Sequence, residues 1–489
     1  MKIKFDRKSI EKNEDVPFIH LLSEEKIVRI HDAAIEVLEK TGIKVATESA
    51  RKLLTDAGCT VSRGSDIVKV PRRIVEDAIS SCIKEITIYD REGVECMCLG
   101  GRRSYFGMGT TCIYFRDVVS GERRDAYVED IALACRVMDA LPNLDFAANP
   151  LVVKQTENIP QKIVNQVGFE AMVSNTTKPL LILSENARIL RDNLDIAAAI
   201  VGGIDALRQK PFVCVFPSII SPLFFDSDTL EKFFLAADRG IPVRCGSSPL
   251  SGGTAPVTTA GMLVVCIAES LGGIVITQLR SPGTPVFIGN TPGIIDMKKG
   301  NLSYSSPETT MISIAVAEMA HYYGLPVVSP AAFSSSMDTD MQVALELMMS
   351  IYSCCLAGSN LIAHIGGLEA AIGFSLESVI LGDEIIGMVK RIMKGIPVDD
   401  EAIALGAIDS VGPAGHFLDS QHTFQHFRKE QWQPTVLNRT AFEGWSQEGS
   451  KLMRQRVKEK LNETITTHQP RPLSDEVQVQ ISKIIQEIK

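Results

Sequence analysis

The chain has 489 residues, 45% of them hydrophobic and 22% charged, with a formal net charge of -9. Its apolar content supports one large core with extra segments at the ends. The acidic balance excludes a nucleic-acid binder, whose phosphate contacts need clustered Lys and Arg, and no stretch has the composition of a disordered tail.

The opening residues, MKIKFDRKSIEKNEDV, are too charged for a secretory signal, so a cytoplasmic location is expected. From 22 to 57 apolar positions recur at helical spacing, break at Gly42 and restart near Thr47. Residues 71–90 pair a short helix, PRRIVEDAIS, with an alternating strand, EITIYD. Residues 1–100 therefore read as a helical cap with a small β addition. From Ser104, SYFGMGTTCIYFRDVVSGERRDA mixes aromatics with β-formers around a D-x-x-S-G turn, and predicts a hairpin leading into a helix at Val128.

Beyond residue 100 short apolar runs alternate with longer helical segments. The runs fall at 144–148, 180–183, 212–216, 243–245, 286–288, 327–328 and 361–365, and an entry strand near Tyr105 makes eight. Short continuous runs imply parallel strands covered by helices. The expected class is α/β, a TIM (β/α)8 barrel over 101–430 with N-terminal and C-terminal extensions, the latter being a charged helical segment over 431–489. A doubly wound open sheet is the competing arrangement, but Gly107-Met108-Gly109 lacks the third glycine of a dinucleotide fingerprint. The uncharged run 245–268 is rich in Gly, Ser, Thr and Pro, which suits a loop and a buried helix better than a membrane span.

Small and polar residues follow the strand candidates one after another: Asn149-Pro150, Ser184-Glu185, Pro217-Ser218, Gly246-Ser247-Ser248, Gly289-Asn290, Ser329-Pro330 and His364-Ile365-Gly366-Gly367. A barrel collects such positions on one face, where they leave a cavity with accessible backbone N–H groups. Taken singly each is an ordinary turn residue. No nucleophile elbow, P-loop or H-E-x-x-H is present. His422 and His426 sit four apart, but Thr423 stands where a zincin has Glu, so a helix face is expected rather than a metal site. Eleven cysteines show no zinc-site spacing and read as small hydrophobes.

Six blocks in order resemble the trimethylamine methyltransferase family: IHDAAIEVLEKTGIKV, RSYFGMGTTCIYFRD, ALPNLDFAANP, SSPLSGGTAPVTTAGML, SSPETTMISIAVAEMAHYYGLPV and GHFLDSQHTFQHFRKEQWQPTVLNR. The resemblance implies a TIM barrel and methyl transfer from an amine to Co(I) of a separate cognate corrinoid protein. The chain itself is expected to bind no corrinoid, because Met319 occupies the place of the Asp that would precede His321-Tyr322-Tyr323-Gly324 in a corrinoid-binding motif. The founding enzymes carry pyrrolysine before a helix start that aligns with Met337-Asp338-Thr339-Asp340-Met341-Gln342, whereas this chain has only ordinary residues there. It thus resembles the non-pyrrolysine branch.

Leaving-group chemistry narrows the substrate. A neutral tertiary amine would depart as an amide anion, whereas a quaternary ammonium departs as a neutral amine. A quaternary amine is therefore expected, and the resemblance to the non-pyrrolysine branch implies a betaine such as glycine betaine, proline betaine or carnitine. Co(I) is the nucleophile, so no general base is required in the chain. Tyr105, Phe106, Phe333 and Phe374 are the candidate aromatic faces for the cation. His364 is the candidate partner of the carboxylate, Glu185 would balance the ammonium, and Asn149, Asn290 and Ser329 are candidate polar liners. A homo-oligomer is expected, with no membrane and no metal of its own. Two other classes stay open: a catalytically silent betaine-binding or regulatory barrel, and a metal-dependent barrel hydrolase or lyase.

Overall fold

The computed structural model describes residues 17–62, 64–109, 111–154 and 159–488; the charged opening stretch 1–16 lies outside them. Eight short strands alternate with eight helices. In chain order they are β1 (Tyr105–Met108), α1 (Val128–Ala140), β2 (Ala147–Ala148), α2 (Val164–Asn175), β3 (Leu180–Ile182) and α3 (Ala187–Val201). There follow β4 (Val213–Val215), α4 (Ser227–Arg239), β5 (Val243–Cys245), α5 (Thr259–Arg280) and β6 (Val286–Ile288). The series ends with α6 (Pro307–Tyr323), β7 (Val328–Pro330), α7 (Met341–Leu356), β8 (Leu361–Ile365) and α8 (Leu376–Met393).

All eight strands are parallel to their neighbours. One sheet runs β6-β5-β4-β3-β2 and the other β7-β8-β1. Single parallel bridges, Gly107↔Phe146 and Ile288↔Val327, connect the two sheets on both flanks.

Strands β3 to β6 are buried at every position, which is why they read as apolar runs rather than alternating ones. Alternation is nevertheless real in three dimensions. Leu180, Val213, Val243 and Val286 join the large cluster shared with the helices. Phe146, Leu181, Cys214, Phe216, Phe287, Val328 and Leu361 form a separate inner cluster. An antiparallel hairpin, Ile86–Tyr89 with Glu95–Leu99, adds Ile86, Ile88, Met97 and Leu99 to that inner cluster. It covers the N-terminal ends of the strands, where Cys98 N–H donates to the Tyr105 hydroxyl at 3.0 Å.

The described N-terminal residues begin with a capped helix. Ser23 caps the helix Glu24–Glu36, and the amphipathic helix buries Ile27, His31, Ala34 and Ile35. Gly42 stops it with φ 81, and a Cβ there would lie 2.6 Å from the Val68 carbonyl. The strand Ile43–Val45 then pairs antiparallel with Ile67–Lys69 and parallel with Phe224–Phe225, between β4 and α4. α5 is long and apolar enough to cross a membrane. It is buried from Met262 to Gln278 along most of its length, and it packs against the N-terminal helices Glu24–Glu36 and Arg72–Ser81.

Two expectations shift. The hairpin after Ser104 is Tyr114–Arg116 with Arg123–Asp125, while Tyr105–Met108 is a separate strand paired to β8. The run at 144–148 contributes only Ala147–Ala148 as a named strand. At the C-terminal end, Met453–Thr467 packs on α8 and α1, and Asp475–Gln486 packs on α3 and α2.

Candidate functional site

The inner face at the C-terminal ends of the strands is assembled around Arg244. Its neighbours in β5, Val243 and Cys245, face the helices, so the two-residue period turns Arg244 inward. There its guanidinium lies 4.1 Å over the Phe216 ring. Nε donates to the Gly289 carbonyl at 2.6 Å and Nη2 to the Ser247 carbonyl at 2.9 Å. Two glycines make this approach feasible. A Cβ on Gly246 would stand 1.5 Å from the Gly289 oxygen, and one on Gly289 would stand 2.2 Å from Val328 Cγ1.

Arg244 is 2% exposed. Among the described residues no carboxylate pairs with it, and its Nη1 has no hydrogen-bond partner. Burial pushes its pKa down to about 9, so the group remains charged at neutral pH. A buried charge without an acid is expensive, on the order of several kcal/mol, and is rare in structural roles.

His364 lies near this charge. It sits at a register shift between Ile362 and Ile365 of β8, with φ 81. The β1 end approaches closely, since Gly109 N–H donates to the Ile365 carbonyl at 3.0 Å and a Cβ on Gly109 would lie 3.1 Å from His364 Cα. Burial, and then the Arg244 charge, push the imidazole pKa down to about 3, so the ring is neutral at pH 7. The His364 ring stacks on Phe333 with centroids 4.1 Å apart, and Phe333 in turn meets Tyr304 at 5.2 Å. Gly367 leaves room for this stack, because a Cβ there would be 2.8 Å from the Phe333 ring.

Behind Ser247 lies a polar wall. Glu269 of α5 accepts from Ser221 Oγ at 2.9 Å, from Leu223 N–H at 2.8 Å and from the Ser247 hydroxyl. Asn290 donates to Ser247 Oγ at 3.0 Å and accepts from Ser270 Oγ at 3.2 Å. Burial raises the Glu269 pKa against the pull of those hydrogen bonds.

The sequence candidates divide accordingly. His364 and Phe333 are brought together with Arg244. Tyr105 begins β1, at the opposite end of the strand from the His364 region, and its hydroxyl is engaged by Cys98. Phe106 faces the helices, with Lys390 Nζ 5.3 Å from its ring centroid. Phe374 is wholly buried against Phe115, with ring centroids 6.5 Å apart. The structure therefore does not bring these three rings to the cluster, because strand alternation and the pairing of Gly373–Phe374 with Tyr114–Phe115 direct them elsewhere.

Among the polar candidates, Asn290 belongs to the wall just described. Ser329 Oγ is bonded to Ser359 Oγ at 2.7 Å. Asn149 lines a small void with Asn165, Phe169 and Asn193, between strand ends and helices. Glu185 is exposed and accepts from Asn165 Nδ2 at 3.3 Å. His422 and His426 stack on one helix face, ring centroids 4.4 Å apart. His321 caps a different need: its Nε2 donates to the Ala357 carbonyl at 3.1 Å, and Gly324 terminates α6 in a left-handed conformation.

Sequence reasoning passed over Arg244, Phe216 and Tyr304. The signal for Arg244 was present, namely a single cation inside the otherwise apolar run 243–245. Tyr304 carried no comparable signal, since its position follows from the loop after β6.

A sequence model of the trimethylamine methyltransferase (MTTB) family matches residues 4–489. The trimethylamine methyltransferase MttB of Desulfitobacterium hafniense (strain DSM 10664 / DCB-2) is 33% identical over 468 residues, covering 95% of this chain and 93% of the relative. The glycine betaine methyltransferase of Desulfitobacterium hafniense (strain Y51) is 29% identical over 473 residues, covering 96% and 97%. Among solved structures, the MtmB–hydroxylamine complex superposes with a TM-score of 0.50 at 14% identity, over 95% of this chain and 98% of that one. With a match spanning nearly every residue, and relatives that are themselves methyltransferases, this chain belongs to the trimethylamine methyltransferase family and is a methyltransferase.

Proposed function

We propose that this methyltransferase moves one N-methyl group from a small betaine to a reduced corrinoid carried by a separate protein, at the mouth of a closed (β/α)8 barrel. The two flanking bridges and the overall likeness to the MtmB complex support the closed barrel. The observation that carries the reaction is the ring cluster beside the strand ends, in which His364 stacks on Phe333 and Tyr304 is tilted against Phe333. Aromatic faces of this kind attract a methylated ammonium.

The transfer needs no proton. The C–N bond breaks with its electron pair left on nitrogen, a neutral tertiary amine departs, and the cobalt electron pair forms the new C–Co bond. The chain's own contribution is to orient the methyl group and exclude water from it. A cation already formed makes an ordinary residue set sufficient, in keeping with the absence of pyrrolysine from the sequence. Loops around the strand ends expose Val257, Met297 and Met337, and α7 begins with exposed Met341 and Leu345. Such apolar side chains around a mouth suit a protein partner that must bring its cofactor to the site. Eleven free cysteines suit a reducing cytoplasm.

The test mixes the protein with a reduced corrinoid protein and a panel of methylamines and betaines, following cobalt absorbance. Methylation of cobalt by a quaternary amine and not by trimethylamine is expected. Silence across the panel, with the corrinoid partner shown to be active independently, overturns the reading.

A further inference from the structure

We propose that Arg244 is the anchor for a substrate carboxylate, so that the site selects a zwitterion whose acid group lies against the guanidinium and whose methylated ammonium is left among the rings at the strand ends. This deepens the methyl-transfer reading above and rests on it.

Four observations converge. Arg244 is fully buried on the inner face of β5, yet among the described residues it has no acidic partner. Its orientation is set by two backbone carbonyls, those of Gly289 and Ser247, and by the Phe216 ring beneath it. Those contacts use two of the five guanidinium N–H donors, and Nη1 is left for an incoming acceptor. A pre-oriented fork with donors to spare matches the planar, two-oxygen geometry of a carboxylate. The Gly246–Gly289 approach keeps that fork in place, because any side chain at either position would collide with the neighbouring strand.

The order of depth completes the argument. Arg244 lies within β5, whereas Phe333 lies beyond the end of β7 and Tyr304 beyond β6. A substrate with a carboxylate at one end and an ammonium at the other is thereby aligned, acid inward and methyl groups toward the mouth. A simple ammonium ion would instead meet an uncompensated positive charge. Neutral His364, beside the same charge, adds a hydrogen-bonding group without adding a second cation.

Calorimetric titration of the intact protein compares each betaine with a carboxylate-free counterpart: glycine betaine, proline betaine and carnitine against choline and tetramethylammonium. We expect one betaine to bind about 100-fold tighter than choline or tetramethylammonium, and acetate to compete with it. Arg244→Gln should weaken that betaine by about the same factor while leaving choline unweakened, and Arg244→Lys should fall between. If the variants do not fold, the wild-type comparison and the acetate competition decide alone. Equal wild-type affinity for betaine and choline, undiminished betaine binding by a folded Arg244→Gln, or no binding by any betaine overturns the proposal. Transfer of methyl from tetramethylammonium as readily as from every betaine would overturn it while the methyl-transfer reading stands. Selective, Arg244-dependent betaine binding without any methylation of cobalt would do the reverse.

Discussion

At Gly246 the chain meets a steric requirement that no side chain satisfies. A Cβ would lie 1.5 Å from the Gly289 oxygen, an atom that itself holds Arg244. Relief would require β5 and β6 to separate, so Gly246→Ala should cost about 3 kcal/mol or more. Urea unfolding measures this, and a variant as stable as the wild type would show that the strands yield easily. His321 supplies a prediction of a different kind. Burial, the largest cause, pushes its pKa from 6.5 to about 4 in the fold. As pH falls below 6.5 the unfolded chain takes up the proton first, so stability is complete above that pH and declines until about pH 4. The decline is roughly 1.4 kcal/mol per pH unit from this group. His321→Gln should therefore flatten the pH dependence of the urea midpoint between pH 6.5 and 5, and an unchanged slope would assign the acid sensitivity to other groups. His364 obeys the same sign, but its place beside Arg244 makes it the less separable choice.

The termini are fastened to the βα units by buried carboxylates. Glu384 of α8 accepts N–H groups from Thr435, Val436 and Leu437 and the Thr435 hydroxyl. Val436 is wholly buried at that anchor. Upstream, the helices Asp400–Ile403, Leu405–Val411 and Gln421–Glu430 contain no buried residue. Besides the Glu384 anchor, the segment they form is tied to α8 by Arg391, which donates to the Glu430 carbonyl at 3.0 Å and to its carboxylate at 3.1 Å. Glu384→Ala strands those donors and should cost about 2–4 kcal/mol, with faster proteolytic cleavage between 394 and 452. Fragment masses identical to the wild type would show that the segment is held by other contacts. At this scale the sequence was most legible where burial is two-sided: β3 to β6 read as apolar runs because both of their faces are covered. It was least legible where a strand alternates. Phe106 and Tyr105 are adjacent aromatics at the entry strand, yet one faces the helices and the other the hairpin. Facing is a property of register, and a one-residue step reverses it.

For the molecule as a whole, eight parallel strands place eight loops on one side, and that side carries both the Arg244 cluster and the exposed apolar residues of the rim. Met341 and Leu345, 83% and 72% exposed on the first turns of α7, are the natural probe of the proposed docking of a corrinoid protein. Met341→Asp with Leu345→Asp should lower kcat/KM for the corrinoid protein roughly 10-fold. Betaine affinity and Tm should stay unchanged. An unaltered rate would move the docking surface away from α7. Strand and helix content, their alternation and the family were carried by local patterns and by the order of sequence blocks, since periodicity and turn chemistry act over a few residues. The pairing of His364 with Phe333, and the placing of Arg244 between Phe216 and two carbonyls, were decided by tertiary structure. Those partners come from different strands and loops, Arg244 and Gly289 lying 45 residues apart in the chain, and only sheet register brings them together; no local pattern encodes which side chain a buried strand turns toward its neighbours.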